Sequence, residues 1–215
     1  MKRIPLTFFI ALLSGCALST TQQALETYGN PAFRKAIPKA GPKPILRAPQ
    51  GTREILPNGM TLITVEKRNL PLIHTQVVFK SGSAADPQKF PGLAGFTSAI
   101  LKTGTTTRNA QALSDEVETR GSFIGSDVSE DTIGFSFTAL TENHEAVLEI
   151  LGDILQNPNF SEAEIERQRA QRLTALAQGK DDPRQIVRRV FKRSIFGTHP
   201  YGHNPLGTEE SLQAI

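Results

Sequence analysis

Apolar and polar positions alternate with a period of two in three stretches of the chain, and a helical period separates and then replaces them. Residues 54–65 read as strand, tight turn, strand. Pro57-Asn58-Gly59 supplies the turn, and Leu62 and Thr64 alternate with Ile63 and Val65. Residues 72–79 form a β-branched run with His74 and Gln76 interleaved, ended by Ser81-Gly82-Ser83. Residues 123–140 alternate again, with Ile133, Phe135, Phe137 and Ala139 on one face and Ser129-Glu130-Asp131 at the tip of a hairpin. Between these, residues 91–101 predict a helix opened by Pro91-Gly92. Asn109 predicts the cap of a second helix, with Ala110, Leu113 and Val117 at i, i+3 and i+7.

From Thr141 the period is helical. Ala146, Leu148, Ile150, Leu151, Ile154 and Leu155 form a stripe that stops at Asn157-Pro158. Ser161, with Glu164 at the capping-box position, predicts a helix running to about Gln178 before Gly179. Another follows Pro183 and closes at Phe196-Gly197. Strands come in hairpins and helices in blocks. The fold class is therefore α+β, an antiparallel β-sheet covered by helices, and not a βαβ wind. No Gly-x-Gly-x-x-Gly is present. Lys102-Thr103 has the last pair of a phosphate loop, but Leu101 stands where the preceding glycine is required.

The first residues have another pattern. Lys2-Arg3 precedes an apolar run, Ile4 to Leu13, that is too short to span a bilayer and reads as the core of a secretory signal. Leu13-Ser14-Gly15-Cys16 then looks like a bacterial lipobox, with the chain's one cysteine as the lipidated residue. Several acyl chains hold a protein to a membrane stably, at about 0.8 kcal/mol per buried methylene. In lipoproteins of this type an Asp after the cysteine favours the inner membrane, so Ala17 favours the outer one. The expected organisation is a signal peptide over residues 1–15, a lipid-anchored tether over 16–50 and a folded domain over 51–215. The tether is Pro-rich and basic (Arg34, Lys35, Lys39, Lys43 and Arg47 against Glu26), and the folded part is net acidic. The sequence pI of about 9.1 thus comes from the N-terminal segments, and nothing in the domain asks for nucleic acid. At 38% hydrophobic and 21% charged residues, the chain is not intrinsically disordered.

The ordered set of segments resembles peptidase family M16, the pitrilysin/insulinase zinc peptidases. Leu56-Pro57-Asn58-Gly59 is similar to the family's opening turn, and Phe79-Lys80-Ser81-Gly82-Ser83 to its third strand and following loop. Pro91-Gly92-Leu93-Ala94-Gly95-Phe96-Thr97-Ser98-Ala99-Ile100-Leu101-Lys102-Thr103-Gly104-Thr105 tracks the metal-binding helix almost residue by residue. Asp181-Asp182-Pro183, His199-Pro200-Tyr201-Gly202 and Gly207 fit later landmarks. The resemblance implies the LuxS/MPP-like metallopeptidase-type domain. It covers the N-terminal domain only, stops in a helix near Ser211, and lacks the closing strand and the second domain.

In active members that helix carries His-x-x-Glu-His. Two histidines at i and i+4 share a helical face and bind zinc, and the Glu before the second His serves as general base for the metal-bound water. The resemblance places the first His at Gly95, the Glu at Ser98 and the second His at Ala99. The third ligand, a Glu from the helix before Asp181-Asp182-Pro183, falls at Ala175. Gly, Ser and Ala cannot hold zinc, which takes imidazole, thiolate or carboxylate, so no catalytic residue, metal or other cofactor is expected. His199 and His203 are four apart, but Pro200 and Gly202 break a helix between them. His74 reads as a sheet-face residue and His144 as part of a solvated first turn beside Glu142 and Glu145. Ser98 has no histidine placed to activate it. The resemblance implies a non-catalytic subunit of a periplasmic complex that degrades or processes peptides or unfolded proteins beside a zinc-bearing paralogue. A stand-alone peptide-binding or scaffold lipoprotein is the alternative.

Overall fold

The structure is a computed structural model, and it describes residues 40–43, 45 and 49–215. The signal peptide, Cys16 and most of the tether lie outside the described residues. The chain divides into two units at Glu66/Lys67. In the first, β1 (Thr52–Ile55) and β2 (Thr61–Thr64) form an antiparallel hairpin with Thr52 opposite Thr64. Gly59 stands at φ 83, and Asn58 Oδ1 accepts from the Met60 N–H, which is the turn chemistry that Pro-Asn-Gly predicts.

The second unit is built on a three-stranded antiparallel sheet in the order β3-β5-β4. Its strands are β3 (Leu72–Phe79), β4 (Gly125–Val128) and β5 (Ile133–Leu140). Leu72 pairs with Leu140 and Val128 with Ile133, so β4 and β5 form the expected hairpin. Its tip is tied down twice: Lys192 pairs with Glu130, and the Tyr201 hydroxyl donates to the Asp131 carboxylate at 2.7 Å. That hydrogen bond to a carboxylate raises the Tyr201 pKa above its ordinary value.

Along β5 the buried side chains are Phe135, Phe137 and Ala139, one face of the pleat. They pack against Leu113 and Val117 of α2 (Ala110–Thr119) and Val147, Ile150, Leu151 and Ile154 of α3 (His144–Gln156). Asn109 caps α2 by accepting from the Ala112 N–H. The buried stripe of α3 differs from the expected one at its start. Val147 faces the core, and Leu148 is exposed, one position round the helix.

A second cluster joins α1 (Leu93–Leu101), α4 (Glu162–Gln178) and α6 (Glu209–Ala214) through Phe96, Ile100, Leu176 and Leu212. α5 (Pro183–Phe196) lies between α4 and α6 in sequence. Asp182 caps it by accepting from the Arg184 N–H, and it ends at Gly197 at φ 57. Ser161 stands at the N-cap of α4, but its hydroxyl makes no capping bond. The chain enters the helix through Phe160 at φ 45, and Asn159 Oδ1 accepts from the Ser161 N–H. Glu162 and Glu164 still place negative charge at that helix start.

A charged network holds the α1–α2 loop. Arg108 donates to Glu116 of α2 at 2.7 Å and to Asp153 of α3 at 2.6 Å, and Asn157 donates to Asp153 at 2.9 Å. The Arg108 hydrogen bond lowers the Glu116 pKa, and the Asn157 hydrogen bond leads in lowering that of Asp153. A carboxylate with a depressed folded pKa contributes stability that is present above its ordinary value and is lost as pH falls through the folded one. Arg108→Met is therefore expected to lower stability near neutral pH by about 1–2 kcal/mol. Urea unfolding as a function of pH checks this. Below about pH 4, where both carboxylates of the wild type are taking up protons, its stability should fall more steeply than the variant's.

Candidate functional site

Two glycines fix where α1 begins. Gly92, at φ 92, caps the helix so close to Gly207 that an added Cβ would lie 2.6 Å from the Gly207 nitrogen. Gly207, at φ 86, would place a Cβ 2.6 Å from the Pro91 oxygen. Only glycine fits such a backbone approach in that conformation. Ser211 Oγ donates to the same Pro91 oxygen at 2.9 Å. Asp86 caps this helix start, its carboxylate accepting from the Gly92 and Ala94 N–H groups, each at 2.8 Å, while the Leu93 N–H donates to the Phe90 carbonyl.

From that start, Gly95 and Ala99 fall on one face of α1, with Ser98 beside them. Gly95 and Ala99 are partly buried. Ser98 is 2% exposed, and its hydroxyl has no hydrogen-bond partner among the described residues. Ala175 lies on α4, partly buried, its carbonyl accepting from the Gly179 N–H. α1 and α4 pack through Phe96, Ile100 and Leu176.

The side chain facing Gly95 is Arg172, one turn before Ala175 on α4. Both its terminal nitrogens lie 3.3 Å from where a Gly95 Cβ would stand, and the Pro205 oxygen is at the same distance. The guanidinium carbon sits 5.6 Å from the centre of the Phe96 ring, a cation–π contact. Burial lowers the Arg172 pKa, and burial alone lowers that of Lys102, which ends α1 on the Gly95–Ala99 side. The sequence reading missed Arg172. The signal is there, because Arg167 and Arg169 pair with Glu164 and Glu166 at i−3, whereas Arg172 has Arg169 at i−3 and Gln168 at i−4.

The histidines are dispersed. His74 Nδ1 bonds Thr138 Oγ1 across the sheet at 2.9 Å, the expected sheet-face role. His144 does not lie on a solvated turn. Its Nε2 bonds Thr75 Oγ1 at 2.8 Å and its ring sits 5.4 Å from that of Phe137, so it closes the sheet-helix seam. His199 Nδ1 accepts from the Tyr201 N–H and its ring packs edge-on to Tyr201, and the intervening Pro200–Gly202 forms a single 3-10 turn. Among the described residues, no three His, Cys, Asp or Glu side chains gather as a metal cage.

The model of the insulinase family, peptidase family M16, matches residues 62–209. The chain belongs to this family. A relative described as an uncharacterized zinc protease of Rickettsia bellii is 28% identical over 160 residues, which are 74% of this chain and 39% of that one. The non-peptidase homolog YmxG of Helicobacter pylori is 26% identical over 163 residues, 76% of this chain and 38% of the other. In structure, the chain is similar to the peptidase M16 inactive domain from Pseudomonas fluorescens. The TM-score is 0.70 at 24% identity, over 77% of this chain and 42% of that one. The chain thus spans about two-fifths of the length of the relatives it matches.

M16 implies zinc, and the residues present do not fit it. The expected ligand positions carry no donor side chain, and a desolvated guanidinium, itself a cation, covers the first of them. Rebuilding the site then requires removing that charge. Gly95→His, Ser98→Glu, Ala99→His and Ala175→Glu together are expected to give little zinc-dependent rise in the thermal unfolding midpoint. Adding Arg172→Met should release one, worth about 2.7 kcal/mol with zinc at roughly a hundred times Kd. Calorimetry with and without zinc measures both. If the folded five-residue variant shows no rise, the four positions do not converge.

Proposed function

We propose that this chain is a non-catalytic M16 homologue, the zinc-less subunit of a complex that degrades or processes peptides or unfolded protein. The observation that carries the reading is the site itself. The resemblance assigns Gly95, Ser98, Ala99 and Ala175 to the positions of the family's ligands and base, and in the fold Arg172 fills the space beside Gly95. Without imidazole or carboxylate there, this half can neither hold zinc nor activate a water. The relatives support the reading: a non-peptidase homolog and an inactive M16 domain stand beside zinc proteases. The helix scaffold and its cores are nonetheless retained, which suits a chain kept for its surface. In this proposal a paralogue with an intact His-x-x-Glu-His supplies the chemistry, and this chain supplies wall and substrate contacts. It works in the cell envelope, held to the outer membrane through lipidated Cys16 and facing the periplasm.

Two experiments test this. Affinity purification of the full chain from native membranes is expected to bring down an M16 chain that carries the zinc motif. Recovery of the chain alone would favour a stand-alone peptide-binding or scaffold lipoprotein. Separately, Cys16→Ser removes the thiol that takes the lipid, so the protein should move from the membrane fraction to the soluble one on fractionation. A Cys16→Ser protein that still pellets with membranes would refute the anchor.

A further inference from the structure

We propose that Arg172 is a carboxylate-binding residue, and that the face of α1 where active relatives hold zinc serves here to capture an acidic group of a bound peptide. The inference rests on the peptide-binding reading above and adds to it the chemistry that is recognised.

Three features of the guanidinium point to a ligand. It is positioned before any ligand arrives, held against the Phe96 ring on one side and over the bare Cα of Gly95 on the other. It is partly buried and desolvated, which strengthens any charge-assisted hydrogen bond it makes. Lastly, none of its five N–H donors meets an acceptor among the described residues, unlike those of Arg169 on the previous turn, which are taken by Glu166 and the Leu212 carbonyl. A positioned, partly buried guanidinium whose donors are not taken by the protein is open to an incoming acceptor.

The surroundings select the ligand. Gly95 and Ala99 carry no side chain beyond a methyl, and the guanidinium lies over Gly95 beside the Pro205 carbonyl, so a ligand meets the fork of Arg172 and not the helix backbone. Lys102 lies on the same face about 10 Å along the axis from Gly95. It is a second partly buried cation, and no acidic group pairs with it among the described residues. Two unpaired cations on a floor of small residues repel basic or metal ligands and favour an anion. The planar fork of Arg172 matches a carboxylate in two parallel hydrogen bonds. A peptide offers that group from an Asp or Glu side chain or from its own C-terminus.

Fluorescence anisotropy of the full chain in detergent, with three labelled peptides of one Ser/Ala/Leu sequence, tests this. One peptide carries a central Glu and an amidated end, the second a central Gln and a free C-terminal carboxylate, and the third a central Gln and an amidated end. At least one carboxylate peptide should bind about tenfold more tightly than the neutral one, and the arm that does so identifies the source. Arg172→Met should abolish the preference and Arg172→Lys should retain only part of it. Arg188→Ala, an exposed change on α5, should leave it intact. Equal binding of all three peptides by the wild type, or a preference that survives in folded Arg172→Met, would overturn the proposal.

A second measurement separates this idea from the reading it rests on. In arginine-labelled wild-type protein, the Arg172 Nε–H resonance, assigned with Arg172→Lys, is followed by NMR while N-acetylglutamate amide is added. A saturable shift supports the carboxylate site even if no peptide binds, in which case only the peptide-binding reading fails. No shift at Arg172 would sink the carboxylate site whatever the peptides do.

Discussion

The backbone contact between Gly92 and Gly207 is the constraint on which the candidate site depends. These residues are far apart in sequence, and each sits at a positive φ with the other segment's backbone where a side chain would go. The contact brings the chain after α5 back to the start of α1, and Ser211 bonds the same Pro91 carbonyl. With that end fixed, Leu212 of α6 reaches the cluster of Phe96, Ile100 and Leu176, and α4 is held alongside α1. A Cβ at either glycine would force backbone against backbone, with no flexible side chain to yield. The pair of helices that faces the candidate ligand is therefore positioned by two residues that carry no chemistry.

The same arrangement explains how the metal positions could change while the fold stayed. The larger core, around Phe135, Phe137 and the α3 stripe, contains none of the four positions. The smaller core uses Phe96 and Ile100, which alternate with Gly95 and Ala99 around α1 and point elsewhere. Ligand residues could be lost without removing a core side chain. Ser98 on the same helix is buried, and its hydroxyl lacks a partner among the described residues, an arrangement that costs about 1–3 kcal/mol.

Much of the architecture was legible because single residues decide it locally. β3 follows its β-branched run, α2 follows its Asn109 cap, and the β4–β5 hairpin follows the alternation that puts Phe135 and Phe137 on one face. What escaped the sequence depends on neighbours that meet only in the fold. Asp86 caps α1 from a loop six residues away from Gly92, too far for a capping pattern. Ser161 had the capping-box spacing, yet Phe160 at a positive φ sets the helix entry instead. His144 looked solvated beside two glutamates until Thr75 and Phe137 closed around it. The stripe of α3 was misplaced by one position at Leu148, because only the sheet decides which edge of a broad apolar face is buried.

The candidate site was half legible for the same reason. The positions Gly95, Ser98, Ala99 and Ala175 followed from a resemblance, and they describe a loss. Arg172 is what occupies the space, and no pattern of ligand spacing leads to it. It is found by asking which charged residue of an amphipathic helix lacks a partner at three or four residues. Arg167 and Arg169 each have one and are accounted for within α4. Arg172 has none, and in the fold it reaches across to Gly95 and Phe96. A His at position 95 would need the space the guanidinium now takes, so the two cannot share it without a shift. If Gly95 holds the family's first ligand position, as the resemblance implies, a histidine there and the guanidinium compete for one space, and the positive charge that disfavours a dication is the same one that favours an anion.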